Sequence, residues 1–411
     1  MKKIIIAFSF TMLGVAAMGQ ETYDNAQLAS KDLNGTARYV GMGGAMEALG
    51  ADISTMSSNP AGIGLFRRSM ISGSFGFNSQ SDAADIGKRK TKASFDHAGF
   101  VHTMRSGRNS YVNFGVSYTK SRNFNQILTA TGRLNGASQN KLSSMKNYND
   151  LYRLEKRNGE LTSQWGTNNN PDLPYNQVDY LYSNALLNDK NSQLVGMNAN
   201  GYNGGNYLGD ASGVLDASGN LRAAYYNADG YDFFRGTSGY IGEYNFNISG
   251  NSRNRFYWGL TFGLYDVNYS HASEYTERLV NNAQNPIGSV TIADERTISG
   301  TGFDVKAGVI FRPIEDSPFR VGLYVHTPTW YDLKTENRTT LVSKLSDGYG
   351  KGNKFTSRRY DYKFYTPWRF GGSLGYTVGK QLALGATYEY ADYTSCDIRV
   401  NEGGAYDYWG N

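Results

Sequence analysis

The chain has 411 residues, with 49 glycines, 32 tyrosines, 20 phenylalanines, 8 prolines and one cysteine. Aromatics make up 14%, yet mean hydropathy is −0.52, which excludes a bundle of ~20-residue apolar helices and a disordered chain alike. A lone Cys396 excludes an intrachain disulfide scaffold, and a net charge of +5 without a basic block excludes a nucleic-acid binder.

Residues 1–19 read as a secretory signal. Lys2 and Lys3 precede a short apolar run from Ile4 to Ala17, and Ala17-Met18-Gly19 supplies small residues before a cut at Gly19-Gln20. The mature protein is therefore expected outside the cytoplasm. Residues 20–69 do not alternate. They carry Gly41, Gly43, Gly44 and Gly50, then Asn59-Pro60-Ala61-Gly62, the character of a segment that fills a lumen.

From Gly73 onward the period is two. Val112, Phe114, Val116 and Tyr118 alternate with Asn113, Gly115, Ser117 and Thr119, and Phe303, Val305 and Ala307 alternate with Asp304, Lys306 and Gly308. Nine strands are expected, near 70–79, 93–104, 110–120, 237–250, 254–269, 299–312, 319–330, 358–378 and 381–395. Several reach the ~9–11 residues that cross a bilayer on a tilt. Their connections alternate between short (105–108, 251–253, 313–318, 379–381) and long (80–92, 121–236, 270–298, 331–357), the asymmetry of an outer-membrane barrel. A soluble β-sandwich explains the alternation but not that rhythm.

In a membrane barrel the apolar side faces lipid. Glu243, Asp304, Lys306, Arg320, Arg369 and Glu389 then point inward, and Tyr118, Tyr269 and Tyr390 belong to interfacial girdles. Inward glycines leave room for something in the lumen. Within 121–236, Leu142, Met145, Tyr148, Tyr152 and Glu155 follow helical spacing. Val178, Leu181, Tyr182, Ala185 and Leu186 form a second stripe. Leu181, Tyr182 and Leu186 are candidates for an external patch that captures a ligand, against the plainer reading of two helices packed on each other. An odd strand number and the tail 396–411 fit no closed barrel, so the chain is expected to be a fragment lacking C-terminal strands.

Asp32-Leu33-Asn34-Gly35-Thr36-Ala37-Arg38, Gly41-Met42-Gly43-Gly44-Ala45, Ala48-Leu49-Gly50, Asp52 and Asn59-Pro60-Ala61-Gly62 resemble the N-terminal plug of FadL-type outer-membrane transporters of long-chain fatty acids and toluene. Gly308–Pro313, Gly322–Pro328 and Thr366-Pro367-Trp368-Arg369 also look like that family, and the style of the plug motif is similar to that of Bacteroidetes sequences. The resemblance implies a fourteen-stranded barrel with an N-terminal hatch, an external low-affinity site and a deeper high-affinity site. It further implies a monomer in the outer membrane of a Gram-negative bacterium, and a wall gap near a kinked third strand, here 110–120 with Gly115 as the kink.

The function expected is passive transport of fatty acids or hydrocarbons with a lateral exit to lipid. Gly43, Gly44, Asn59, Pro60 and Ala61 are the gating candidates, because glycine permits close approach or positive φ and proline fixes a bend. Lys306, Arg320 or Arg369 can pair with a carboxylate head group. No cofactor or metal is expected, since one cysteine and four scattered histidines make no ligand set. The rival classes are a barrel enzyme acting on lipids, for which Ser94 and His102 share a wall, and a structural adhesin. Gly375–Lys380 has the wrong spacing for a phosphate loop and reads as a hairpin.

Overall fold

The computed structural model describes residues 24–148, 153–164, 181–182, 212–215 and 221–408, with short gaps within these spans. The expected signal, 1–19, lies outside them. The chain opens with helix α1 (24–29), α2 (Ala37–Gly41) and two 3₁₀ turns, Ile53–Ser57 and Pro60–Leu65. The wall follows: β1 (Met70–Ser79), β2 (Thr91–Gly107), β3 (Ser110–Asn123) and β4 (Gln126–Arg133). An insert carries α3 (Gln139–Tyr148), β5 (Arg153–Arg157), β6 (Glu160–Gln164), β7 (Ser212–Leu215) and β8 (Leu221–Tyr225). The wall resumes with β9 (Asn227–Ser252), β10 (Phe256–Val280), β11 (Pro286–Phe311), β12 (Arg320–His326) and β13 (Trp330–Leu345). It ends with β14 (Gly352–Tyr365), β15 (Arg369–Val378), β16 (Leu382–Ala391), β17 (Asp397–Glu402) and β18 (Ala405–Tyr408).

The fold is all-β: among the described residues, one antiparallel sheet of 14 strand segments curls around the N-terminal segment, and β5–β6 and β7–β8 form two separate two-stranded sheets. β1 lies at one edge, and β16 and β18 lie at the other. Several segments are halves of one wall strand: β3 with β4, β12 with β13, β14 with β15 and β16 with β17. Joining them leaves the nine expected strands, plus the short β18. Prolines make two of the breaks. Pro328 and Pro367 have no N–H for the ladder, and side-chain hydroxyls take its place: Thr329 N–H donates to Thr366 Oγ1 at 2.8 Å, and Val305 N–H donates to Thr327 Oγ1 at 3.0 Å.

The strands run further than expected. Regions 270–298 and 331–357 are not simple loops, because β10 and β11 pair from Phe256↔Phe311 to Val280↔Pro286, and β13 pairs β14 from Tyr365 back to Gly352. Beyond Asp266 the outer face turns polar (Asn268, Ser270, Glu274, Arg278) while the inner face mixes apolar and polar residues (Val267, Tyr269, His271, Glu277, Leu279), so the alternation fades while the backbone ladder continues. The first helical stripe does not reach its expected end: α3 is described to Tyr148, Tyr152 lies outside the described residues, and Glu155 lies in β5.

The two faces are sharply different. One register row across the wall reads Ile71, Phe100, Val116, Phe246, Phe262, Val305, all on the outer face. Phe75, Phe77, Phe246, Leu260, Phe262 and Leu323 are exposed. On β10 the outer residues stay apolar from Phe256 to Leu264. At ~3.4 Å per residue and a ~40° tilt, that is a belt roughly 20–25 Å tall. Tyr118 sits at its upper border, 5.2 Å from Tyr244 ring to ring. Tyr269, expected in the same girdle, instead faces inward and is 4% exposed. It shares the parity of Tyr265 and Thr261, both buried.

The inner face holds the N-terminal segment through glycines. A Cβ on Gly99 would overlap Ile53, on Gly115 Met56, on Gly259 Pro60, on Gly308 Asn59 and on Gly385 Ala45. The segment therefore touches the wall from β2 to β16 at positions where the wall itself contributes no side chain. Gly259→Val and Gly308→Val are expected to cost about 1–3 kcal/mol each through overpacking and to undock residues 45–66 while the sheet still forms. Limited proteolysis read beside heat-modifiable gel migration checks this; full protection of the segment in a folded variant would refute it.

Candidate functional site

The lumenal site is built where the N-terminal segment meets charged residues on the inner wall. Glu243, Asn245 and Asn247 on β9, Tyr265 on β10, and Asp304 and Lys306 on β11 share the inward parity and are buried. Lys306 Nζ lies 2.7 Å from Asp304 and 3.0 Å from Glu243, and donates to Asn245 Oδ1 at 3.2 Å. Tyr265 OH donates to Asp304 at 2.7 Å. Lys31, from the N-terminal segment, reaches Glu243 at 3.2 Å and Tyr265 OH at 3.0 Å. Two ammoniums face two carboxylates, so the cluster is neutral, with Lys306, Glu243 and Asp304 fully enclosed and Lys31 at its partly exposed edge. Breaking one such buried pair generally costs several kcal/mol.

Further polar contacts fix the rest of the segment. Asp24 accepts from Tyr269 OH at 2.7 Å and pairs with Arg296 at 3.1 Å. Asp32 pairs with Arg122 and accepts from the Asn123 N–H at 2.7 Å. Asp52 caps the first 3₁₀ turn by accepting from Ser54 N–H, and holds Thr36 and Arg38. Glu47 is 4% exposed and accepts from Tyr39 OH and Thr387 Oγ1. Burial holds its carboxyl above the ordinary carboxylate range, opposed by the hydrogen bonds from Thr387 and Tyr39.

The gating candidates occupy defined places. Gly43 and Gly44 follow α2 with φ of +63° and +81°, a left-handed turn that favours glycine. Asn59 caps the second 3₁₀ turn, accepting from Ala61 N–H at 3.1 Å, and donates to the Glu47 carbonyl oxygen at 3.0 Å. Pro60 stands at the start of that turn, and Pro60 and Ala61 are buried against β10 and β11.

The three head-group candidates differ. Lys306 is fully enclosed and held by two carboxylates. Arg369 donates to the Ala29 carbonyl oxygen at 2.8 Å and pairs with Glu389. Arg320 donates to the Leu49 carbonyl oxygen at 2.5 Å, and its Nε is buried with no hydrogen-bond partner. It is the one of the three without a carboxylate partner among the described residues.

Gly115 is not a kink. β3 pairs in unbroken register through it, with Val101 on one side and Asn247 on the other, and the missing Cβ admits Met56. The wall is irregular higher up. β2 carries an extra residue at Asp96, and β3 carries one at Ser121. The β2–β3 ladder ends at His97↔Thr119, so Lys92–Asp96 and Lys120–Asn123 have no rungs between them. Side chains span this gap instead: Lys120 Nζ donates to Ser94 Oγ and Lys92 Nζ to Asn125 Oδ1, both at 2.6 Å. A bulge leaves no trace in residue type here, so the sequence carried no signal for it.

Leu181 and Tyr182 are fully buried in a cluster with Tyr226, Leu279, Val290 and Leu341. They pack the insert onto the upper wall rather than form an exposed patch. Leu186 lies outside the described residues. Ser94 and His102 sit eight residues apart on one strand, roughly 26 Å, and His102 contacts Ser69 instead. His271 has Ser273 at 3.1 Å and Asp294 at 3.8 Å, but both approach Nε2, whereas a catalytic triad needs one partner on each ring nitrogen.

Lys31, Glu47, Asp32 and Arg122 were not singled out from the sequence. Asp32 stood in the plug-like motif; Arg122 gains meaning only from the fold that brings it there.

No protein-family model and no curated protein matches the sequence. Among solved structures, the chain is similar to the crystal structure of the Ralstonia pickettii toluene transporter TbuX, at 12% identity and a TM-score of 0.38, covering 91% of this chain and 77% of that one.

Lys31→Met leaves the cluster with one cation for two carboxylates. We expect it to loosen the N-terminal segment by about 2 kcal/mol, below the 3–5 kcal/mol of a fully enclosed pair because Lys31 is partly exposed. Hydrogen exchange of residues 24–40 reads the loss, and wild-type protection would refute it. Glu47 gives a pH dependence. A folded-state pKa raised above the ordinary 4.5 means that docking is firmest below that value and weakens as pH rises through the folded pKa. Exchange protection of residues 45–50 should fall over that rise in wild type and stay flat in Glu47→Gln.

Proposed function

We propose that this chain is an outer-membrane barrel protein that passes hydrophobic compounds passively, with residues 24–66 as the hatch. The single observation that carries this reading is the combination of an apolar outer belt with an inner wall that is aromatic above the charge cluster. Phe124, Ile241, Val267, Tyr269, Tyr331 and Phe364 form one buried inner cluster, covered by Leu28 and Ala29 of α1. A water-filled pore would line that surface with polar groups.

The chemistry supports a plugged route. Moving a sixteen-carbon tail into water costs roughly 12 kcal/mol at ~0.8 kcal/mol per CH₂. A path along apolar wall that ends in lipid avoids that step. The unpaired stretch between β2 and β3 is the best candidate for the exit, because only side chains hold it and lysine ends move readily. Asn59 and Pro60 then set how the hatch leans on β10 and β11. Arg320 is the residue we assign to a carboxylate head group, should the cargo be an acid; a hydrocarbon needs no such partner.

Proteoliposomes carrying the protein test this. A labelled long-chain fatty acid or a small aromatic hydrocarbon should enter while a hydrophilic sugar does not; free passage of the sugar would favour a porin. For the exit, cysteines at Ser94 and Lys120 in a Cys396→Ser background, joined by a short bis-maleimide, should cut hydrophobic uptake at least tenfold in a folded barrel. Uptake unchanged by the link would sink the lateral route alone.

A further inference from the structure

A cavity adjoins the upper end of the β2–β3 gap, where β3 stops at Asn123 and β4 resumes at Gln126. Its volume is about 280 Å³. That is roughly nine water volumes at ~30 Å³ each, below the size of a drug-sized pocket and enough for one hexose ring. Its polar wall comes from three parts of the chain: Gln27 and Asp32 of the N-terminal segment, Asn78 at the end of β1, and Arg122, Asn123 and Gln126 around the β3–β4 break. Phe124 and Tyr269 close the floor, stacked edge to face with ring centroids 4.9 Å apart.

The hydrogen-bonding capacity of this wall is only partly used. Arg122 gives its two terminal nitrogens to Asp32 and Gln27, and its Nε is buried with no hydrogen-bond partner. Gln27 spends its Oε1 on Arg122, and Asn123 spends its Oδ1 on Asn125, which leaves the amide N–H groups of both. Asn78 uses one N–H on the Asn125 carbonyl oxygen and keeps its own oxygen. The Asp32–Arg122 pair cancels its own charge, so neither an anion nor a cation is selected. A hydrocarbon would strand these groups, at a cost of ~1–3 kcal/mol for each one buried unpaired.

We infer that this cavity binds a neutral polyhydroxylated group of monosaccharide size, with the planar amide and guanidinium groups bonding its hydroxyls and the two rings beneath its apolar face. This goes beyond hydrophobic transport and does not depend on it. Such a sugar arrives either free or as the head of a glycolipid entering from the wall gap, and both present the same hydroxyls.

The full chain in lipid nanodiscs is titrated with methyl glucoside, octyl glucoside and octanol, read by saturation-transfer NMR and calorimetry. The expected result is saturable binding of a glucoside, weakened at least tenfold by Gln27→Leu and by Asn78→Leu, while octanol partitions equally into all three proteins. Methyl glucoside bound as well as octyl glucoside assigns a free sugar; octyl glucoside alone assigns a glycolipid head. Absence of saturable glucoside binding to the wild-type protein overturns the inference, as does binding that both folded variants leave intact.

Discussion

The pairing of Lys31 with Glu243, inside a cluster closed by Lys306 and Asp304, is the interaction on which the rest of the architecture depends. The inner wall supplies two carboxylates and one fully buried ammonium. Alone, that wall would hold an uncompensated negative charge away from water, which is costly. The N-terminal segment brings the second cation. Wall and segment therefore need each other electrostatically, and the remaining contacts, Asp24 on Arg296 and Asp32 on Arg122, extend the same logic upward.

Glycine makes that charge arrangement sterically possible. The inner face presents Gly99, Gly115, Gly259, Gly308 and Gly385 where the segment lies closest, so the backbone of the wall is met directly by Ile53, Met56 and Asn59 side chains and by the backbone at Pro60 and Ala45. The outer face at the same height carries Phe100, Phe246, Phe262 and Leu260. One strand thus serves two solvents. Its large apolar residues sit outward and its smallest inward, the reverse of a soluble sheet with a greasy core.

The wall is least regular where function is proposed. Between β2 and β3 the ladder stops and two lysine side chains take over. Directly above, the break between β3 and β4 opens a polar cavity. On the far side, Pro328 and Pro367 interrupt adjacent strands, and threonine hydroxyls repair the ladder. Uninterrupted strands such as β9, β10 and β11 lie between, and they carry the charge cluster. Rigidity and irregularity are therefore spatially separated.

The sequence by itself determined the all-β class, the nine wall strands and the facing of residues such as Phe246 and Glu243. Each of these follows from a period of two, which is local. It also pointed to Pro60 as a fixed bend, because that is local chemistry, whereas the capping of the turn by Asn59 and its bond to Glu47 appear only in the fold. It missed the upward extension of β10 and β11, since the outer face there loses its apolar residues while the inner face mixes buried apolar and polar ones, and the period of two is lost. It put Tyr269 in the wrong face by reading position along the strand instead of parity. Tertiary structure alone decided the placement of the gap and the role of Gly115. A missing rung depends on which residue stands opposite on another strand, and Gly115 is defined by Met56, 59 positions earlier in the chain (115 − 56). Partners that meet only through folding leave no pattern in either stretch of sequence.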